Sequence, residues 1–186
     1  MSSKRALVLL AEGAEEIETS IIVDVLRRAD VSTVLGGLGS DTSPVNCSRD
    51  MKFVPDKALK DITNESFDAI VLPGGLKGSQ NLAASPEVKV LLEKQLSGSG
   101  ILAAICAAPT VISTHGLAKD RKITSYPCFK DEFVKSGCTY VEEDVVVDGP
   151  LITSRGPGTA FAFALKLVEK LTDLEKANDI KKAMLL

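Results

Sequence analysis

The sequence predicts a single-domain α/β sandwich, spanning residues 1–186, with a central, mostly parallel sheet. Its 186 residues are 45% hydrophobic, which is enough for one compact core. Short apolar runs alternate with helical patterns along the whole chain, and strands separated by helices pair in parallel through right-handed crossovers. No internal repeat, low-complexity segment or linker divides the chain into parts.

In the first half, apolar runs such as RALVLLA and FDAIVL are typical of buried strands. The predicted elements are strands at 5–11, 31–37 and 67–72, a helix at 15–29 and a small hairpin at 46–54. The helix begins with acidic residues and ends with Arg27 and Arg28, and both charges suit the helix dipole.

The second half continues the alternation. The predicted elements are a helix beginning at 85–86, a strand at 100–105, a helix at 107–115, a strand near 123, a helix from 127, two strands around 148–149 and a helix at 159–171. Ser85 is a cap residue followed by Pro86 at the first helical position, and Gly116 supplies a C-terminal stop.

Charge and hydropathy argue against two classes of partner. The formal net charge is −3 and no basic cluster exceeds a pair such as Arg27 and Arg28, so we expect no sequence-specific nucleic-acid binding. The longest apolar runs fall well short of the roughly 20 residues that a membrane-spanning helix needs. The first residues lead straight into a predicted strand and show no cleavable signal pattern.

The four cysteines, Cys47, Cys106, Cys128 and Cys138, have irregular spacings and form no CxxC motif. Because the chain has a single histidine, this pattern does not favour zinc, and we expect neither a metal nor another cofactor. We expect a reduced, intracellular protein in which Cys47, Cys128 and Cys138 are small buried hydrophobic residues.

Cys106 stands where the apolar run GILAAI passes into the helix-forming sequence AAPT. A thiol at a helix N-terminus lies near free backbone N–H groups, and its pKa can fall from ~8.5 to ~3.5–7.5. A sharp strand-to-helix turn would also expose the sulfur. The local pattern leaves two interpretations open, a buried structural cysteine and an activated nucleophile.

Glu18 is the carboxylate that the helical pattern places unusually. Ile21, Ile22, Val25 and Ala29 share its helix face, so Glu18 is predicted to face the core, whereas Glu15 and Glu16 are interpreted as solvated first-turn acids. A buried carboxylate needs a partner or a raised pKa. It either exchanges protons with a thiol or substrate, or forms a structural pair with an arginine or a backbone N–H.

Ligands in parallel sheets bind beyond the carboxyl ends of the strands, which points to the turn at 11–18, the turn at 73–75 and Cys106. Backbone N–H groups at Gly74 and Gly75 could form a nest for an oxyanion, although an ordinary tight turn also explains the glycines. His115 lies nine residues after Cys106, roughly 13 Å along one helix, too far to be its base.

Five motifs occur in order along nearly the whole chain. They are KRALVLLAEGAEEIE (4–18), CSRD (47–50), VLPGG (71–75), AAICAAPT (103–110) and ITSRGPGT (152–159). In these motifs and their spacing the chain resembles the Parkinson disease protein family (DJ-one, protein deglycase), within the intracellular-protease-like superfamily. Arg49, in CSRD, is interpreted as a structural residue that pairs with an acid, with anion binding near the site as the alternative.

The resemblance implies a flavodoxin-like sandwich that forms a homodimer, mainly cytoplasmic with nuclear and mitochondrial fractions. It implies that Cys106 is a reactive nucleophile that oxidises readily to a sulfinate, and that Glu18 hydrogen-bonds it. It also implies an oxyanion pocket shaped by Gly74, Gly75 and Ala107.

Two departures qualify this resemblance. Members that act as proteases or amidotransferases usually carry histidine directly after the nucleophile, and here that residue is Ala107, which argues against peptide-bond hydrolysis. Many members of the nearest family have a histidine before a proline at the pocket, where this chain has Tyr126. A tyrosine can hydrogen-bond a substrate hydroxyl but does not titrate near neutral pH.

Two functions are therefore expected, beside a purely structural role for Cys106. The first is a cofactor-free enzyme on small 2-oxoaldehydes, since the family converts methylglyoxal and glyoxal to lactate and glycolate without glutathione and is described as repairing early glycation adducts. The second is a non-catalytic redox sensor and chaperone that works through oxidation of Cys106 to the sulfinate. Both need the same reactive thiol, but only the enzyme consumes substrate.

Overall fold

The computed structural model describes residues 4–39 and 41–186 and shows a seven-stranded central sheet. Its strands are β1 (Arg5–Leu10), β2 (Ser32–Gly37), β5 (Lys57–Ala58), β6 (Ala69–Leu72), β7 (Ile101–Ile105), β10 (Val145–Asp148) and β11 (Leu151–Ser154). Their order is β10-β11-β7-β6-β1-β2-β5. Every neighbouring pair is parallel except β10 with β11, which confirms the predicted flavodoxin-like, mostly parallel sheet.

In the described part of the chain, two small sheets lie outside the central one. The strands β3 (Val45–Asn46) and β4 (Lys52–Phe53) pair antiparallel, which confirms the predicted hairpin at 46–54. The strands β8 (Lys122–Ile123) and β9 (Thr139–Tyr140) pair in parallel. The sequence predicted only the first of these two, near Ile123, because two-residue strands carry too little apolar pattern to be recognised.

Seven helices of the described residues cover the two faces of the central sheet. They are α1 (Glu16–Arg28), α2 (Leu76–Ala84), α3 (Pro86–Ser97), α4 (Pro109–Thr114), α5 (Lys130–Lys135), α6 (Ala160–Leu171) and α7 (Leu174–Ala183). Along β1, Ala6 and Val8 join the core under α1, α6 and α7, whereas Leu7 and Leu9 join the core under α2, α3 and α4. A strand buried on both faces needs apolar residues at every position, which is why RALVLL is continuous rather than alternating.

The helix predicted at 107–115 was wrong at its start, because α4 begins only at Pro109. The helix α2 was missed, since Gly78 and polar residues weaken its periodicity. Gly78 lies where α2 crosses the turn after β1, and a Cβ there would come within 2.8 Å of the Ala14 Cα. Close approach of two backbones, rather than helix propensity, explains this residue.

The prediction that Cys128 is buried was also wrong. Cys47 and Cys138 are buried as expected, but Cys128 is exposed. It lies in the short 3-10 turn Pro127–Phe129, whose residues are not buried. Cys138 is held in the core, where its thiol donates a hydrogen bond to the Ala118 carbonyl at 3.1 Å.

No helix among the described residues is long and apolar enough to cross a membrane. Within the same residues, no three histidine, cysteine or acidic side chains are grouped so that they could hold a metal ion.

Candidate active site

The candidate site lies where the strand order reverses. From β1 the chain first extends the sheet through β2 and β5, and then returns to add β6, β7 and β11 on the other side. The turns after β1 and β6 meet directly, since the Glu15 N–H donates to the Gly74 carbonyl at 2.9 Å. A Cβ at Gly74 would come within 2.6 Å of the Cys106 Cβ. The structure thus brings the three strand-end segments together at the switch point, where such sheets bind ligands.

The backbone of Cys106 forms a strained elbow directly after β7. Its φ of +63° is in the left-handed region, which non-glycine residues rarely occupy and which costs about 1–3 kcal/mol. Two hydrogen bonds secure it: the Cys106 N–H donates to the Ser154 carbonyl at 3.0 Å, and the Tyr126 N–H donates to the Cys106 carbonyl at 2.8 Å. Segments from two other parts of the chain therefore hold the thiol in place.

A cavity of about 480 Å³ opens beside the Cys106 side chain. Gly75 and Ala107 line it, and their backbone N–H groups lie close enough to the Cys106 thiol to favour its ionised form. Tyr126 also lines the cavity and is 48% exposed. His115, by contrast, caps the far end of α4 and is not among the cavity's lining residues.

Glu18 lies behind the thiol rather than in the cavity. The side chain is 0% exposed, and its Oε2 accepts the Gly74 N–H at 2.7 Å. The Gly74 N–H is therefore occupied by Glu18, which leaves Gly75 and Ala107 as the N–H donors nearest the sulfur. The second oxygen, Oε1, has no well-formed hydrogen bond among the described residues, although the carboxyl group interacts with the Cys106 thiol.

Burial dominates the protonation of this pair. It raises the pKa of Glu18 from 4.5 to about 7, against the lowering effect of the Gly74 N–H and with a further increase from the charge of Glu15. Burial likewise raises the pKa of Cys106 to about 12, and the Glu18 charge adds to the increase. Because the charge of Glu18 opposes ionisation of the thiol, the thiolate forms most readily when Glu18 is protonated.

The expected lowering of the Cys106 pKa by a helix N-terminus is therefore wrong. The helix α4 begins three residues beyond the thiol and has only six residues. Its free N–H groups and dipole act within the first turn, whereas the carboxylate of Glu18 is in direct contact. The local N–H groups of Gly75 and Ala107 are what favours the thiolate here.

The raised pKa of Glu18 predicts a pH-dependent stability. Below pH 4.5 the carboxyl is protonated in both the folded and unfolded chain, and between pH 4.5 and about 7 only the folded chain keeps the proton. The free energy of unfolding should therefore fall by about 3 kcal/mol across that interval. Urea unfolding at pH 5 and pH 7.5 measures it, and Glu18→Gln should remove most of the decrease. An equal decrease in both proteins would assign it to other groups.

The prediction that Glu16 is a solvated first-turn acid was wrong. It is 3% exposed instead of solvated, and it accepts hydrogen bonds from the Ser48 hydroxyl and the Arg49 N–H, both at 2.7 Å. Burial opposes its charge, but these bonds outweigh burial and lower its pKa below 4.5. The motif CSRD supplies the two donors, Ser48 and Arg49, but the sequence alone could not show which acid accepts their hydrogen bonds.

Arg49 lines the cavity together with its neighbour Ser48. Its guanidinium donates to the Ser48 carbonyl at 3.0 Å and lies close enough to Glu16 to help lower that carboxyl's pKa. Among the described residues it forms no salt bridge shorter than 4.0 Å. The turn thus adds a positive charge to the wall of the cavity.

Gly75 should tolerate no side chain. Its φ is +87°, and a Cβ would lie 2.2 Å from the Gly13 carbonyl oxygen and 2.7 Å from the Glu15 nitrogen, both rigid backbone atoms. We expect Gly75→Ala to lower the free energy of unfolding by about 3 kcal/mol, measured by urea denaturation. Gly158→Ala is the matched control, because nothing lies within 4 Å of its Cβ position. Similar losses in both variants would contradict this account.

Comparison with known proteins agrees with this geometry. Residues 4–170 match the DJ-1/PfpI family. The chain is 49% identical over 183 residues to Protein dj-1beta of Drosophila melanogaster, covering 98% of this chain and 97% of that protein. It is 44% identical over 186 residues to a Caenorhabditis elegans protein named Glutathione-independent glyoxalase DJR-1.2, covering 100% and 98% of the two chains.

A solved structure has the same fold as this chain. The crystal structure of Drosophila melanogaster DJ-1beta matches with a TM-score of 0.97 at 49% identity, covering 100% of this chain and 99% of that one. Family match, relatives and structure all extend over most or all of the chain. This chain therefore belongs to the DJ-1/PfpI family.

Proposed function

We propose that this protein is a cysteine-dependent, cofactor-free enzyme acting on small 2-oxoaldehydes, of the glutathione-independent glyoxalase and deglycase type. The observation that carries the proposal is the buried carboxyl of Glu18 in contact with the Cys106 thiol beside an open cavity. The Caenorhabditis elegans relative, which is named a glutathione-independent glyoxalase, supports the same activity. The catalytic residues of the proposal are Cys106 and Glu18.

The first step would be attack of the Cys106 sulfur on the aldehyde carbon of methylglyoxal. A C–S bond forms, the carbonyl electron pair moves to oxygen, and protonation of that oxygen gives a hemithioacetal. The N–H groups of Gly75 and Ala107 approach the sulfur and are the nearest donors for the developing oxyanion. Gly74 acts differently in this scheme, as a positioning residue for Glu18.

The second step would be proton transfer between adjacent carbons by Glu18. The carboxylate takes the proton from the hemithioacetal carbon, and the resulting enediol is reprotonated at the neighbouring carbon to give a thioester. Water then cleaves the thioester, which releases lactate and regenerates the thiol. A pKa of about 7 suits a group that must both accept and return a proton near neutral pH.

Tyr126 and Arg49 would bind substrate rather than transfer protons. The Tyr126 ring lines the cavity, and its hydroxyl can hydrogen-bond a substrate oxygen. The same chemistry extends to glycated substrates, because an early adduct of methylglyoxal on an amine or thiol presents the same pair of oxygenated carbons. The homodimer and the cytoplasmic, nuclear and mitochondrial locations stay predictions from the family resemblance.

A redox sensor and chaperone is the second candidate function. The observation that favours it is the unpartnered Oε1 of Glu18, which when protonated can donate a short hydrogen bond to a sulfinate on Cys106. Under this alternative, mild peroxide should add two oxygen atoms to Cys106 before any of the other three cysteines reacts, and Cys47 and Cys138 are buried.

The first test is lactate formation from methylglyoxal in the absence of glutathione. Enzymatic lactate determination over time should show multiple turnovers by the untreated protein. Prior alkylation with iodoacetamide, with the labelled cysteine identified by peptide mass spectrometry, should abolish them. If the untreated protein forms no lactate, the glyoxalase proposal fails and the redox-sensor function is favoured.

A further inference from the structure

A second thiol lines the cavity beside Cys106. Cys128 is exposed and belongs to the lining of the same 480 Å³ cavity. The chain reaches it two residues after Tyr126, whose N–H is hydrogen-bonded to the Cys106 carbonyl at 2.8 Å. The two cysteines thus belong to segments that are joined by a backbone hydrogen bond, and both residues line one cavity.

The other two cysteines are poorly placed to react with Cys106. Cys47 is 5% exposed, and burial together with the charges of Glu16 and Glu15 raises its pKa to about 11. Cys138 is buried outside the cavity and donates its thiol hydrogen to a carbonyl. Of the four cysteines, Cys128 alone combines exposure with a place on the wall of this cavity.

We propose that Cys128 is the resolving thiol for Cys106, so that a hydroperoxide converts the pair to an intramolecular disulfide. In the first step the Cys106 thiolate attacks hydrogen peroxide. The O–O bond breaks, an S–O bond forms, and the departing hydroxide takes up a proton to become water. Cys106 is then a sulfenic acid, oxidised by two electrons.

In the second step the Cys128 sulfur attacks the Cys106 sulfur. The S–O bond breaks, the S–S bond forms, and the hydroxyl group leaves as water with the proton of the Cys128 thiol. A disulfide requires Cα atoms within about 7 Å, so the 127–129 turn must be able to approach the elbow. Pro127 and Cys128 are exposed, whereas Phe129 is half-buried against the core, so the first part of the turn is the part that is free to move.

This reaction competes with a second oxidation of Cys106. The sulfinate is not reduced by ordinary thiols, whereas a disulfide is. Cys128 therefore gives the site a reversible resting state and protects the nucleophile from permanent loss. The inference rests on the reactivity of Cys106 that the proposed function also uses.

The test is a titration of the reduced protein with hydrogen peroxide, followed by alkylation of free thiols and non-reducing peptide mass spectrometry. We expect a peptide pair that joins Cys106 to Cys128 with the loss of two hydrogen atoms, reversed by dithiothreitol. In Cys128→Ser, the same peroxide dose should place two additional oxygen atoms on Cys106. Cys138→Ser is the matched control and should still form the 106–128 link.

The outcomes separate this proposal from the proposed function. A wild-type protein whose Cys106 gains two oxygens while Cys128 stays a free thiol overturns the resolving role but leaves a reactive nucleophile. A link from Cys106 to Cys47 also overturns it. If Cys106 is neither oxidised nor alkylated, both proposals fail together.

An independent experiment tests whether the two sulfurs can approach each other. Dibromobimane should bridge Cys106 and Cys128 in the reduced protein and become fluorescent, and the absence of that bridge counts against the proposal.

Discussion

Replacement of Cys106 by serine is expected to lower lactate formation from methylglyoxal by at least about 1,000-fold, to the level of the reaction without enzyme. A serine hydroxyl holds its proton far more tightly than a thiol, and no histidine lines the cavity to remove it. The oxygen is also smaller than sulfur, so it reaches the N–H groups of Gly75 and Ala107 less well. Initial rates at a fixed methylglyoxal concentration measure the effect.

The appropriate control for this variant is Cys138→Ser. Both changes replace a thiol with a hydroxyl, but Cys138 lies outside the cavity and its hydrogen bond to a carbonyl can be kept by serine. Cys138→Ser should retain activity within about twofold, because surface and structural changes away from the site alter the barrier little. Comparable rates for Cys106→Ser and the wild type would remove the thiol from the mechanism.

Glu18→Gln is expected to lower kcat by about 100-fold or more, the usual contribution of a general acid–base. The amide oxygen of glutamine can still accept the Gly74 N–H, so the fold of the turn should persist. The amide cannot carry a proton between carbons, so the hemithioacetal would form but not rearrange. The pre-steady-state burst and the steady-state rate of lactate release give the decrease in kcat. Glu12→Gln is the control, since Glu12 is exposed and forms a surface salt bridge with Lys77 at 2.7 Å.

The same variant has a second readout that a structural defect would not produce. The charge of Glu18 raises the pKa of Cys106, so its removal should move the midpoint of iodoacetamide labelling at Cys106 to lower pH. A faster-reacting but catalytically slow cysteine identifies Glu18 as the proton carrier. Unchanged kcat in Glu18→Gln would exclude it from the reaction, and an unchanged labelling profile would contradict the coupling of the two groups.

The sequence was sufficient for the architecture because the central strands are apolar on both faces. Residues such as Leu7 and Val8, which point to opposite cores, make β1 recognisable without any structure. Glu18 could likewise be placed from its position on an otherwise apolar helix face, and the structure buries it completely.

The parts that could not be predicted depend on contacts between distant segments. The left-handed elbow at Cys106 is stabilised by Ser154 and Tyr126, so local helix propensity placed the start of α4 too early. The burial of Glu16 depends on Ser48, which lies 32 positions away. The pKa of Cys106 could not be inferred from the neighbouring helix either, because desolvation and Glu18 outweigh the dipole.

The hydrogen bond between Glu18 and Gly74 also has a consequence for folding. It joins residues 56 positions apart, and Cys106 comes from a third segment, so the pair assembles only after β1, β6 and β7 have aligned in parallel. Contacts of such high contact order form late, because the chain entropy of closing long loops must be overcome first. A partly folded chain would carry an ordinary thiol, without the neighbouring carboxyl. The rate at which Cys106 is labelled during refolding would therefore change only when the sheet is complete. The thiol would thus report on the last stage of folding.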